Sequence, residues 1–360
     1  MSDILDIVVP VYRGEAETRA CLESVFASAN RRPVEIVVID DRSPEPAISA
    51  WLKDLARLGR ITLIEHEENR GFVQSVNEGM ALHRDRDVVL LNSDTEVAPG
   101  WADRLMAHFA NDPTIGTATP FSTNATICSY PRTLAANALP AGETTRSLDA
   151  AFAAANAGRR VDIPTAVGFC MAISRKCLDR VGLFDVARYG TGYGEEVDFC
   201  MRAARKGFRN VLAGDVFVLH VGEVSFKDTG VERRQKAQAT VDALYPEFQQ
   251  RLAEFIPSDP PRNLRRRADL QRLRGQPEAL RIAEQDGVTR IDWPRAGEEF
   301  ALWLETVRDA AAIGRIQAAV RRGAPLPELE PQWLAPPGER APGSPGAGLL
   351  GRLARIFRAG

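Results

Sequence analysis

Apolar residues come in short blocks through the first hundred positions, separated by longer stretches in which they recur every three or four residues. Residues 4–11 (ILDIVVPV) are apolar apart from Asp6 and are closed by Pro10 and Tyr12, which predicts a buried strand. Residues 15–29 follow, with Leu22, Val25 and Phe26 on one helical face. Residues 34–39 (VEIVVI) predict a second strand, 61–65 a third, 71–83 a helix and 88–91 a fourth strand. Strand–helix–strand order at this spacing predicts an α/β fold with a mostly parallel central sheet flanked by helices. Ligands of such sheets bind beyond the carboxyl ends of the strands. Polar residues collect at those ends: Tyr12 after the first strand, Asp40 and Asp41 after the second, Asn92, Ser93 and Asp94 after the fourth.

The first strand–helix turn carries a single glycine, Gly14, in place of the GxGxxG of dinucleotide folds, and no GKS/T follows any strand. Phosphates must be held in another way. Carboxylates at strand ends repel a diphosphate by themselves, and a bound divalent cation inverts that sign. The net charge of -2 argues against bulk nucleic-acid binding. Five cysteines, an odd number without CxxC, suggest neither a disulfide framework nor a thiolate zinc site, so a reducing, cytoplasmic setting is expected. The amino terminus reads as a strand, not a signal peptide, and no run of 18 apolar residues predicts a membrane span.

Composition divides the chain near residue 256. Residues 256–360 hold 17 arginines against 13 acidic residues, 12 prolines and no lysine. The expected organisation is a body at 1–255, an Arg-rich helical extension at 256–323, a Pro/Gly-rich linker at 324–348 and a basic amphipathic helix at 349–360. Within the extension, residues 262–274 (RNLRRRADLQRLR) read as a solvated basic helix. The last segment, with Leu349, Leu350, Leu353, Ile356 and Phe357 interleaved with three arginines, suits either peripheral contact with the inner face of a membrane or packing on the body or a second subunit.

Seven pieces in order carry a resemblance: IVVPVYRG (7–14), EIVVIDDRS (35–43), ENRGFVQSVNEGM (68–80), VVLLNSDTEV (88–97), VGFCMAISRKCLDRVGLFD (167–185), GYGEEVDFCMRAARKGFR (192–209) and VFVLHVGEVSF (216–226). With them the chain resembles the inverting family 2 glycosyltransferases of the GT-A fold, of the bacterial surface-polysaccharide type. The resemblance implies that Pro10 and Tyr12 lie along the base and ribose of a nucleotide-sugar donor, a UDP- or dTDP-hexose. Asp41 is then to accept from the base, and Arg70 to reach base or phosphate. Asn92-Ser93-Asp94 stands at the family's DxD motif with its first acid replaced. Asp94 and His220 are the implied ligands of Mn2+ or Mg2+, with Mn2+ favoured by the mixed nitrogen–oxygen set. Glu196 is the implied base for the acceptor hydroxyl, with Asp198 able to share the role. Gly168 is to clear room for the donor sugar. The implied acceptor is a glycan or lipid-linked glycan, and the implied setting is cell-envelope polysaccharide biosynthesis. A non-catalytic nucleotide- or carbohydrate-binding module is the alternative. His66, His83 and His108 match no motif and are expected at the surface or at caps.

Overall fold

A computed structural model describes residues 2–190, 192–222, 230–274, 280–293 and 300–336. The amphipathic segment 349–360, residues 337–348 of the Pro/Gly-rich stretch and residues 223–226 of the last family-like piece lie outside the described residues.

The body alternates strands and helices: β1 (Leu5–Val11), α1 (Glu15–Phe26), β2 (Val34–Asp40), α2 (Pro46–Arg57), β3 (Thr62–Glu65), α3 (Phe72–Leu82), β4 (Val88–Leu91), β5 (Thr95–Glu96), α4 (Trp101–Asn111) and β6 (Ile115–Phe121). It continues with α5 (Thr145–Asn156), β7 (Arg160–Asp162), β8 (Cys170–Ile173), α6 (Arg175–Val181), α7 (Val186–Tyr189), α8 (Glu195–Arg205), β9 (Arg209–Phe217) and β10 (Leu219–His220). Eight strands form one sheet in the order β3-β2-β1-β4-β8-β6-β9-β7. Pairings β3–β2, β2–β1, β1–β4 and β6–β9 are parallel, whereas β8 runs antiparallel to both neighbours and β7 to β9. The sheet is therefore mixed, with its parallel half where the apolar blocks predict it.

Alternation along β1 fills both faces. Leu5, Ile7, Val9 and Val11 pack with Leu22 of α1, Ile48 and Leu52 of α2 and Trp101 of α4. Val8 points the other way, to Val73, Val76 and Met80 of α3. Gly79 lets α3 lie this close, since a Cβ there would stand 2.4 Å from Cγ1 of Val8. The carboxyl ends of β1, β2 and β4 share one edge, and α8 runs back before β9, so its amino terminus faces the same edge.

Beyond residue 230 lie α9 (Gly230–Leu244), α10 (Pro246–Ser258), α11 (Arg262–Leu273), β11 (Arg281–Gln285), β12 (Val288–Trp293), β13 (Phe300–Glu305) and α12 (Ala310–Arg322). The basic helix α11 is docked, not solvated. Leu264 and Ala268 enter the main core, Asn156 of α5 donates to the carbonyl of Leu264 at 3.0 Å, and Tyr130 donates to Asp269 at 2.5 Å. Its arginines are paired: Arg265 with Asp259, Arg272 with Glu143. The extension is also not wholly helical. β11, β12 and β13 form an antiparallel sheet, over which Ile291, Leu302, Leu304, Ile313, Ile316 and Trp333 make a separate small core. No helix among the described residues is long and apolar enough to cross a membrane.

Candidate active site

The antiparallel pair β5–β10 sets Leu219 opposite Glu96 and His220 opposite Thr95, and so brings His220 beside Asp94 at the end of β4. Nε2 of His220 lies 3.4 Å from Oδ1 of Asp94. The other ring nitrogen, Nδ1, meets the carbonyl of Asn124 at 2.7 Å. A carbonyl only accepts, so Nδ1 carries the hydrogen and Nε2 is the nitrogen turned toward the carboxylate; in the neutral ring it presents a bare lone pair there. Two acceptors face each other unless a proton or a cation lies between them. Ligand distances near 2.1 Å make such a spacing suitable for two ligands of one cation.

Burial works to raise the Asp94 carboxyl, but the hydrogen bond and charge of His220 outweigh it and hold the group below its ordinary range. Burial works to lower His220, and Asp94 likewise overrides it and raises the imidazole. The surroundings fix both side chains. Oδ2 of Asp94 accepts from the backbone N–H of Gly222 at 3.0 Å. Phe169 stacks on the His220 ring with centroids 5.1 Å apart and planes at 21°. Its carbonyl also accepts from the Asn92 backbone at 2.8 Å. Asn92 itself is half-buried at the start of this turn. A Cβ on Gly168 would meet nothing within 4 Å, so packing does not require glycine there.

At the ends of β1 and β2, Pro10 and Tyr12 are half-buried, and the Arg13 guanidinium lies 5.2 Å from the Tyr12 ring centre. Asp40 braces its own loop through the Ser43 backbone and the Ser49 hydroxyl. Asp41 is buried and accepts from the backbone N–H groups of Arg70 and Gly71, at 2.7 and 2.9 Å, and from Nδ1 of His66 at 2.7 Å. The Arg70 guanidinium, half-exposed, donates to Glu78 at 3.2 Å.

Of the histidines expected at surfaces or caps, His83 is at one, the C-cap of α3, and the other two are buried. His66 is only 6% exposed and bridges Asp41 and Glu78, while His108 is 1% exposed and bonded to Asp215 at 2.9 Å. His83 is half-buried beside Asp6. Their carboxylate partners come from other elements, which local sequence does not reveal. Among the described residues, Asp6, Glu35 and His83 also form the one group of three side chains close enough to share a metal. They sit at the opposite, amino-terminal edge of the sheet. The Arg86 guanidinium reaches Asp6 at 2.9 Å and Glu35 at 2.5 Å, so a cation of the protein's own already serves this cluster.

The third set of acids opens α8 behind a loop with positive φ at Gly190, Gly192, Tyr193 and Gly194. Glu195 is buried and Glu196 half-buried, and each has an Oε2 shut off from solvent with no hydrogen-bond partner. Burial, then the charge of Glu196, pushes Glu195 well above the ordinary carboxylate range. Burial also raises Glu196, against the pull of backbone N–H groups at the helix start. Asp198 differs in kind, because Tyr245 and Arg202 take its two oxygens at 2.6 and 2.7 Å. Sequence reading missed Asn124, Phe169 and Tyr245, which touch the implied ligands or acids. Only Phe169 fell within a family-like piece.

Residues 6–182 match the family model described as Glycosyl transferase family 2. Polypeptide N-acetylgalactosaminyltransferase 4 of Caenorhabditis elegans is 31% identical over 110 residues, 29% of this chain and 18% of that protein. The putative glycosyltransferase EpsH of Bacillus subtilis is 24% identical over 102 residues, 28% of this chain and 29% of that one. The chain thus spans less than a third of the length of these curated relatives. Among solved structures, GalNAc-T7 crystallised with UDP, GalNAc and Mn2+ aligns with a TM-score of 0.51 at 15% identity, over 83% of this chain and 68% of that one. The likeness is one of fold: this chain has the GT-A architecture.

Proposed function

We propose that this GT-A chain, related over residues 6–182 to family 2 glycosyltransferases, moves a hexose from a nucleoside diphosphate to a hydroxyl of a glycan or lipid-linked glycan, with inversion. The observation that carries the reading is the Asp94–His220 pair, one carboxylate oxygen and one imidazole nitrogen 3.4 Å apart beyond the end of β4. Its donor set fits a divalent cation, Mn2+ before Mg2+, which supplies neutralisation of the departing diphosphate when bound.

The chain's own residues do the rest. Pro10 and Tyr12 offer flat surface to base and ribose. Asp41 accepts an N–H from the base, and Arg70 lies close enough to meet base or phosphate. Asn92 bonds ribose through its amide. Glu196 takes the acceptor's proton as its oxygen attacks the anomeric carbon. Its raised carboxyl and unpartnered Oε2 support that role. Asp198, bonded on both oxygens, positions α8 instead of exchanging protons. The extension beyond residue 256 and the segment 349–360 are the proposed contacts to acceptor assembly, membrane surface or a second copy. The test is nucleotide release from UDP- and dTDP-hexoses by the full chain, with a glycan acceptor, in Mn2+ and in EDTA. Release that requires Mn2+ is expected. Metal-independent release, or binding without release from any donor, favours a binding module instead.

A further inference from the structure

The segment 66–71 (HEENRG) is tied to Asp41 by more bonds than a base-contacting carboxylate needs. Oδ1 accepts from Nδ1 of His66 and the backbone of Arg70, both at 2.7 Å, and Oδ2 accepts from the backbone of Gly71 at 2.9 Å. An ionised carboxylate offers about four acceptor positions, so one position, on Oδ2, stays open. The second nitrogen of His66 bonds Oε2 of Glu78 at 2.9 Å. Glu78 in turn accepts from Gln74 at 2.9 Å and from the Arg70 guanidinium at 3.2 Å. Asp41, His66, Glu78 and Arg70 thus close a ring, Arg70 joining it through its backbone N–H on one side and its guanidinium on the other, and His66 is its buried member.

The Asp41 carboxylate already accepts from the Arg70 and Gly71 backbones, so Nδ1 of His66 donates to it as well. With three donors aimed at the group, the open position on Oδ2 serves as an acceptor. Cytosine presents an unprotonated N3 to such a group, acceptor against acceptor. Uracil and thymine present N3–H.

We propose that His66, anchored by Glu78, is the residue that sets nucleobase selectivity: it holds Asp41 as an acceptor with one open position, so that the site takes a base with an N–H at that edge. This rests on the reading that Asp41 meets the base. Without the imidazole the Asp41 carboxyl can turn, and can hold a proton between itself and a cytosine N3. Loss of His66 thus erodes the difference between bases and does not merely weaken all nucleotides together.

The experiment is calorimetric titration of the full chain with UDP and CDP in Mn2+, for the wild type, His66→Leu, Glu78→Ala and Asp41→Asn. These two nucleotides share sugar, phosphates and size and differ at the base edge. The wild type is expected to prefer UDP by about tenfold or more, the scale on which a buried group left facing the wrong partner discriminates. His66→Leu and Glu78→Ala should each cut that ratio at least about threefold. Should His66→Leu fail to fold, Glu78→Ala, at a partly exposed helical position, decides alone. An unchanged ratio in the folded variants, with UDP and CDP weakened alike, overturns the proposal. Should Asp41→Asn also leave the ratio unchanged, or the wild type bind both nucleotides equally, the base-contact reading itself is wrong. Lost preference in Asp41→Asn with full preference in the other two overturns the role of His66 alone.

Discussion

The hydroxyl of Tyr245 donates to Oδ1 of Asp198 at 2.6 Å, tying the first turn of α8 to the junction of α9 and α10. Arg202 takes the other oxygen one helical turn on. Glu196, on the same turn, keeps an oxygen with no partner. The two acids should therefore fail differently. Glu196→Gln should lower kcat by about 10²–10⁴ with donor affinity nearly unchanged and no loss of melting temperature. Asp198→Asn should cost about 1–3 kcal/mol of stability and reduce activity only through the displaced helix. Steady-state kinetics beside thermal melts distinguish them. A crippling but fully stable Asp198→Asn would mean that the base has been assigned to the wrong carboxylate.

Gly222 lies next to the implied metal site with φ +79°, and a Cβ there would stand 2.2 Å from the Asn124 side chain. Asn124 holds Nδ1 of His220 through its carbonyl. Gly222→Ala should thus lower Mn2+-dependent turnover by about tenfold or more, although the residue touches no substrate. The matching measurement is the Mn2+ concentration for half-maximal rate, which should rise.

Glu195 is buried with a raised carboxyl. Below the ordinary glutamate pKa of 4.5 the group is protonated in both folded and unfolded chains and contributes nothing to pH dependence. Above it the unfolded chain releases the proton first, so folding loses stability as pH rises toward the folded-state value. Glu195→Gln should stabilise the protein at pH 7 by about 1–3 kcal/mol, and the gain should vanish near pH 4. Melting curves across that range check the sign.

Helix α11 contributes Leu264 and Ala268 to the main core, so the compositional break at 256 is not a folding boundary. A chain ending at Ser258 should lose several kcal/mol, given about 1.5–3 kcal/mol for each buried leucine. Denaturant titrations of that truncation beside the full chain decide; equal midpoints would restore the boundary at 256.

The parallel strands β1 to β4 and the helices α1 and α3 were legible because each shows its own period, two-sided apolar blocks for strands and one-sided stripes for helices; α2 (Pro46–Arg57) was not read. The direction of β8 was not, since Cys170–Ile173 is apolar whichever way it runs. Nor was the pair β5–β10, two residues a side, although it creates the Asp94–His220 contact. The three-stranded sheet after residue 280 was not read either, although Ile291 between Arg290 and Asp292, and Leu302 and Leu304 on either side of Trp303, stand at strand spacing. His66 looked solvated among acids (EHEEN) because its partners come from β2 and α3. Residue types at strand ends indicated the site; the hydrogen bonds that restrict each side chain are tertiary, and only the folded chain supplies them.

The central claim is that Asp94 and His220 together hold a cation against a nucleoside diphosphate. UDP affinity measured with Mn2+ and with EDTA, in the wild type and in Asp94→Ala and His220→Ala, tests it directly. The wild type should bind UDP at least about tenfold more tightly with Mn2+, and either substitution should bring the two affinities together. UDP affinity in the wild type that is the same in Mn2+ and EDTA, or a Mn2+ effect that survives both substitutions, would contradict the account.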